Sequence, residues 1–461
     1  MKNVARISKN SRDYRKMADP FSIFEAAAEA PDHIGLRSKG TDYRFSQLAL
    51  LTQNAISRLE ASGGLPPKGL PYIVEGTNTV ETLVTLYALM ALGVPALMLH
   101  PKLTATERRL LLESVLRIRE PLPENCVAVL FTSGTTGLPK PAIITREMLL
   151  ASAAASAANL GWQEDDCWQL CMSITRIGGL SILTRCLFAR KTLAISPLFS
   201  PASFIEALEH DRVTITSIVP TMLAKIFEDY PHWQAPKRLR VLLLGGSSAT
   251  EKLLQKAHAA HLPIVTTYGM TETCSHVVMT PYPERFDVQT GSGKVLPPAR
   301  VRIRDGQIEV NSPMTTPGYW GKARFNREWF ETGDLGEFDA DGTLHVFARR
   351  HDLILSAGEN VYPLEVENLL SHSPFIKEAL VIGEPDETWG AIVCALIVPE
   401  KGTHPTIEDI RRFCKENLSA YKCPRKIAIV SALPVNSADK PDRRPDVLKR
   451  YHLETVHYAH P

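Results

Sequence analysis

From Ser22 to about Ala348, amphipathic helical stretches such as Phe45 to Ser62 and Pro201 to His210 alternate with short apolar runs such as Thr214 to Val219 and Arg240 to Leu244. Short apolar runs bounded by turn signals read as buried strands. Strands that alternate with helices pack as α/β layers, so the fold class expected is α/β, with a large layered N-terminal domain. Beyond Arg349 the pattern changes: strand-like Ala379 to Ile382 and Ile392 to Val398, a helix Ile407 to Leu418 and a strand Lys426 to Val430. That part reads as a compact α+β domain of about 110 residues. The expected division is residues 1–348, a junction at 349–352, and residues 353–461, with the active site between the two units because ligands favour domain interfaces.

The segment Leu130 to Lys140 places Thr132, Ser133, Thr135 and Thr136 around the glycines at 134 and 137, with Lys140 at its end. Glycines that take positive φ let backbone N–H groups turn onto an anion, and the hydroxyls add donors, which makes a cradle for the phosphates of a nucleotide. The apolar run Val127 to Phe131 sets this loop at a strand end. A Walker loop is excluded, because the fifth residue after Gly134 is Pro139 and Pro141 follows Lys140. A dinucleotide fingerprint is excluded by the missing G-x-G-x-x-G.

The loop resembles the phosphate-binding motif of the adenylate-forming superfamily, the acyl- and aryl-CoA ligases and their relatives. Further segments match that family in order: Gly245 to Ser248, Tyr268 to Thr273, Gly318 to Trp320, Glu331 to Gly336, Arg349 to Glu367, and Leu433 to Arg444. The resemblance implies a large N-terminal domain of adenylate-forming type, a small mobile C-terminal domain, and a hinge near His351. It also implies ATP, Mg²⁺ and coenzyme A. ATP activation replaces the poor oxide leaving group of a carboxylate by AMP, and charge building at the α-phosphorus must be neutralised.

Thr132, Ser133, Gly134, Thr135, Thr136 and Lys140 suit the departing pyrophosphate. Glu272 suits Mg²⁺, which prefers oxygen ligands. By the same resemblance Thr271 contacts the α-phosphate and Tyr268 packs on adenine. Asp334 accepts from the ribose hydroxyls, Arg349 reaches the same ribose, and Gly245, Gly246 and Ser247 allow close approach of the base. Lys440 stands where the family carries a catalytic lysine on its mobile loop. Two departures flank it: Asp439 replaces the usual glycine and is able to pair with Lys440, and Pro441 replaces the usual aliphatic residue.

After rotation of the small domain, the resemblance has Leu355 to Glu367 line a pantetheine tunnel, with Gly358 letting the thiol arm pass. The Glu359 to Pro363 form favours CoA over a carrier protein. Arg176 to Thr184, with Tyr268 to His276, is similar to the o-succinylbenzoate-CoA ligase group of menaquinone biosynthesis. Thr175 and Arg176 replace an aromatic-His pair, and His276 replaces a common glutamine. The acyl pocket is therefore expected at Arg176, Gly178 and His276, with Arg176 open between pairing a second substrate carboxylate and facing solvent or ATP phosphate. Another aromatic acid, a carrier protein as acceptor, and a degenerate binding protein remain alternatives.

Formal net charge is +2, with both signs interspersed, so nothing calls for a nucleic-acid partner. Eight scattered cysteines form no C-x-x-C pair and read as free thiols of a reducing compartment. The apolar window Leu83 to Leu99 is broken by Gly93 and Pro95, and reads as a helix Thr82 to Leu92 turning into a core strand Ala96 to Leu99. No membrane role, a cytoplasmic location and a homodimer as one open oligomeric form complete the expectation.

Overall fold

A computed structural model describes residues 19–132, 139–196, 199–349, 352–356, 359–386, 389–436 and 440–458. Ser133, Gly134, Thr135, Thr136, His351, Gly358 and Asp439 lie outside the described residues. A nine-stranded sheet runs in the order Lys294–Val295, Ser275–Met279, Ile264–Met270, Val241–Leu244, Ile215–Ile218, Cys167–Leu170, Thr192–Ile195, Ile34–Ser38, Thr41–Arg44. Its centre is parallel, as the alternation of helices and wholly buried apolar strands demands. A second sheet of four strands, Tyr72–Glu75, Ala96–Leu99, Cys126–Thr132 and Lys140–Thr145, closes with an antiparallel pair. The helix before its second strand runs Val80–Leu92, capped by Thr79 and stopped by Gly93 at φ 65°.

Arg300–Arg304, Gln307–Asn311, Phe330–Phe338 and Leu344–Arg349 form an antiparallel meander. A last sheet gathers Glu359–Val361, Ile354–Ser356, Ile376–Asp386, Gly390–Pro399, Lys426–Ile429 and Glu454–Thr455. Its core, centred on Val366, Val381, Ala395 and Ile410, draws on residues from Ile354 onward, whereas the other large cores end at Leu344. The expected elements recur with shifts of a few residues at their ends. The Ala-rich helix Arg146–Leu160 starts where Thr145 caps it, its side chain accepting from Met148 N–H. All eight cysteines are free and buried, and no helix among the described residues is long and apolar enough to cross a membrane.

Candidate active site

A cleft of about 2660 Å³ opens between the nine-stranded sheet, the meander and the last sheet. Strand Cys126–Thr132 enters it, and Thr132 pairs in register with Lys140 at the start of the returning strand, so the two expected phosphate ligands flank the segment 133–138. The stretch through Tyr319 is sewn onto that returning strand. Ile143 N–H donates to Gly318 O at 3.1 Å and Trp320 N–H to Pro141 O at 2.8 Å. Tyr319 is thereby fixed between two expected site residues: its hydroxyl donates to Glu272 Oε1 at 2.8 Å, and Lys140 Nζ lies 5.3 Å from its ring centroid. Burial, then the carboxylate of Glu272, pushes the Tyr319 phenol pKa up, so it stays a donor.

Glu272 lies in a single 3₁₀ turn, Thr271–Thr273, after strand Ile264–Met270. Thr316 anchors this turn: its N–H donates to Glu272 O at 2.7 Å and its hydroxyl to Ile143 O at 2.7 Å. Among the described residues no three His, Cys, Asp or Glu converge as a ready metal cage. The Glu272 carboxylate is the kind of oxygen donor that Mg²⁺ prefers.

Tyr268 and Asp334 meet on the opposite wall. The buried Tyr268 hydroxyl donates to Asp334 Oδ2 at 2.9 Å, while Arg349 Nε lies 3.4 Å from Oδ1, its register partner across the meander. Burial, then Asp334, raises the Tyr268 pKa well above its ordinary value. Gly245 has no room for a side chain, since a Cβ there falls 2.1 Å from Thr267 Oγ1. Gly246 turns at φ 83°, and a Cβ on it lies 3.6 Å from Lys440 Cε and 3.8 Å from Nζ. The butylammonium of Lys440 thus passes over the glycine turn into the cleft. Its loop is a narrow hairpin: Asn436 N–H donates to Lys440 O at 2.8 Å, Asp442 N–H to Pro434 O at 2.9 Å, and Val435 bridges Pro441. Arg443 clamps the foot of the hairpin to Glu367, and Arg444 pairs with Asp442 at 2.7 Å.

Lys440 is held down to a pKa of about 8, first by burial and then by Arg349 and Arg176, against opposing pulls from Asp334 and Glu272. Thr271, Glu272, Asp334, Arg349 and Lys440 therefore converge, together with Arg176. Arg176 precedes helix Ile177–Ala189 and donates from Nη1 to Phe131 O at 3.3 Å, on the strand leading into the phosphate loop. Thr175 is buried against Gly76, where a Cβ meets its methyl at 2.2 Å. Gly178 and Ser247 line the cleft, as does His276.

Sequence reasoning missed Arg185. It is buried within helix Ile177–Ala189, lines the cleft and lies 5.8 Å from the Trp168 ring. Its Nη2 donates to Ser152 Oγ at 2.9 Å, Nε has no partner, and no carboxylate among the described residues pairs with it. Burial pulls its pKa down to about 10. The signal was one charge amid the apolar sequence Ile177 to Ala189. Tyr319 was missed too, although its motif was noted.

Two ion pairs tie the segments on either side of residues 349–352, Lys377 to Glu228 at 2.8 Å and Lys252 to Glu400 at 3.5 Å, and His372 Nε2 lies 3.8 Å from Glu251 Oε2.

Residues 115–320 match the model of the AMP-binding enzyme family, and residues 365–440 match that of the AMP-binding enzyme C-terminal domain. The chain is 32% identical to the 2-succinylbenzoate–CoA ligase of Bacillus cytotoxicus, over 92% of this chain and 97% of that protein. The o-succinylbenzoate CoA synthetase of Bacillus subtilis, solved with the acyl-adenylate OSB-AMP, superposes with a TM-score of 0.83 at 30% identity, over 92% and 97% of the two chains. A double mutant of that synthetase bound to the product analogue OSB-NCoA gives 0.68 at 29% identity, over 95% and 100%.

Proposed function

The chain belongs to the AMP-binding enzyme family of AMP-forming acid–thiol ligases, and we propose that it activates 2-succinylbenzoate with ATP and transfers the acyl group to coenzyme A. The observation that carries this substrate is Arg185. A guanidinium buried without a carboxylate partner costs several kcal/mol, and a second carboxylate on the acyl substrate offsets that cost while leaving the first free for adenylation. Menaquinone biosynthesis in the cytoplasm is the setting such a substrate implies.

The family resemblance, together with the convergence of these residues on one cleft, supports the following residue roles. Thr132 and Lys140, with the loop between them, take the β- and γ-phosphates. Glu272, steadied by Tyr319, holds Mg²⁺, which supplies charge neutralisation to the phosphates. Thr271 serves the α-phosphate. Asp334, oriented by Tyr268 and Arg349, accepts from the ribose, and Gly245, Gly246 and Ser247 face the base. Lys440 sets its ammonium between the carboxylate and the α-phosphate, where charge develops. Residues 349–352 act as the hinge between residues 1–348 and 353–461. The higher TM-score against the acyl-adenylate complex than against the product-analogue complex supports the adenylation arrangement for this structure.

The test is pyrophosphate release across 2-succinylbenzoate, benzoylpropionate, benzoate and a fatty acid, with and without CoA. The reading predicts strong preference for 2-succinylbenzoate and CoA-dependent turnover of the adenylate. Preference for an acid with one carboxylate overturns the substrate, and discharge by a carrier protein but not by CoA overturns the acceptor.

A further inference from the structure

His276 opens onto the same cleft as Arg185, buried, with its Nε2 lacking any hydrogen-bond partner among the described residues. An orphaned ring nitrogen in such a place costs free energy unless a ligand completes it. The backbone that delivers the ring is also bent at a cost. Cys274 and Ser275, neither of them glycine, both take left-handed angles, with φ of 51° and 84°. Such residues persist where their surroundings over-determine them, and they cluster at functional sites.

Here the surroundings are explicit. Ser152 Oγ donates to Cys274 O at 2.9 Å while accepting from Arg185, and Thr273 Oγ1 donates to Ser275 O at 2.9 Å. Behind the turn Gly269 admits no side chain, because a Cβ there falls 1.9 Å from Ser275 O. Ser152 therefore fixes the guanidinium and the turn that presents the imidazole in one relation to each other. Burial, then the Arg185 charge, keeps His276 well below its ordinary pKa, so it is a neutral ring beside a cation. Arginine offers only donors and a charge; the neutral ring adds a directed hydrogen bond without a second buried charge.

We propose that His276 is a specificity-determining residue, donating from Nε2 to the second carboxylate of the acyl substrate that Arg185 holds. This rests on the reading that the substrate carries such a carboxylate. Arg185 supplies attraction to any anion, and His276 fixes where its oxygens sit, hence the distance at which the reacting carboxylate meets Lys440.

The experiment compares 2-succinylbenzoate with benzoylpropionate, the same acid without its ring carboxylate, in wild type, H276Q and H276L, each checked by its melting curve. In H276L, kcat/KM for 2-succinylbenzoate falls at least 10-fold more than for benzoylpropionate, and H276Q, which keeps an N–H, recovers most of the loss. Equal losses for both acids, or no loss, overturn the proposal. Absence of preference between the two acids in wild type overturns the substrate reading itself, and the proposal with it, before any variant is measured.

Discussion

Tyr319 donates its phenol proton to Glu272 Oε1 at 2.8 Å, so a residue from the stretch sewn to the phosphate-loop hairpin steadies a carboxylate from the far sheet. The bond turns Glu272 from a solvated loop acid into an oriented one. The face of the Tyr319 ring meets Lys140, so one ring relates the expected metal ligand to the expected phosphate ligand.

Tyr319→Phe should therefore slow adenylation by about 10- to 100-fold, the scale of a lost hydrogen bond to a charged group. It should also raise the Mg²⁺ concentration needed for half-maximal rate. Pyrophosphate exchange titrated with Mg²⁺ checks both, and an unchanged Mg²⁺ requirement would detach Tyr319 from the metal.

Lys440→Ala should reduce acyl-adenylate formation by about 10²- to 10³-fold, the usual worth of a positioned donor at developing charge. Thioester synthesis from preformed acyl-AMP should be largely spared. Equal loss in both half-reactions would remove the division of labour between the two arrangements.

The ammonium of Lys440 is its working form, and its pKa is held at about 8 by burial, Arg349 and Arg176. Lysine is charged below its pKa, so kcat/KM for ATP in the adenylation half-reaction should hold below pH 8 and fall as pH rises through it. Lys440→Arg, which stays protonated, should move that falling limb upward. A profile flat to pH 10 in wild type would contradict the assignment.

Ser152→Ala should loosen both Arg185 and the Cys274 carbonyl, which share its hydroxyl. KM for 2-succinylbenzoate should rise more than KM for ATP, with Ser152→Thr restoring part of the difference. A parallel rise in both constants would reduce Ser152 to a packing role.

The ion pairs Lys377 to Glu228 and Lys252 to Glu400 are half exposed, and such pairs contribute about 0–1 kcal/mol each. Lys377→Ala with Lys252→Ala should shift the ratio of adenylation to thioester rates by a few-fold toward the thioester half-reaction. Single-turnover rates for each half-reaction measure this, and an unchanged ratio would show that the pairs do not bias the hinge.

Much of the fold and of the site is legible in the sequence. Short buried strands such as Ala96 to Leu99 and helices such as Pro201 to His210 declare themselves by period and by caps, because those signals are local. The ordered motifs pointed to Glu272, Asp334, Arg349 and Lys440, which do converge. The rest depends on tertiary neighbours. Nothing in the neighbourhood of Tyr319 says that its hydroxyl meets a carboxylate 47 positions earlier. Arg176, singled out because it stands in place of part of an aromatic-His pair, lines the cleft and gives one donor to the Phe131 carbonyl, while Arg185, two turns deeper in the helix, has the more buried position. Burial of a charge is decided by what covers the helix.

The left-handed pair Cys274 and Ser275 separates Glu272 from His276 by only four peptide units. The carboxylate proposed for the metal and the imidazole proposed for the acyl group are thus two ends of one short piece of chain. A lineage of such enzymes can change its acid by exchanging side chains along that piece, but an insertion there moves the chemistry along with the preference, which confines the routes by which new substrates are acquired.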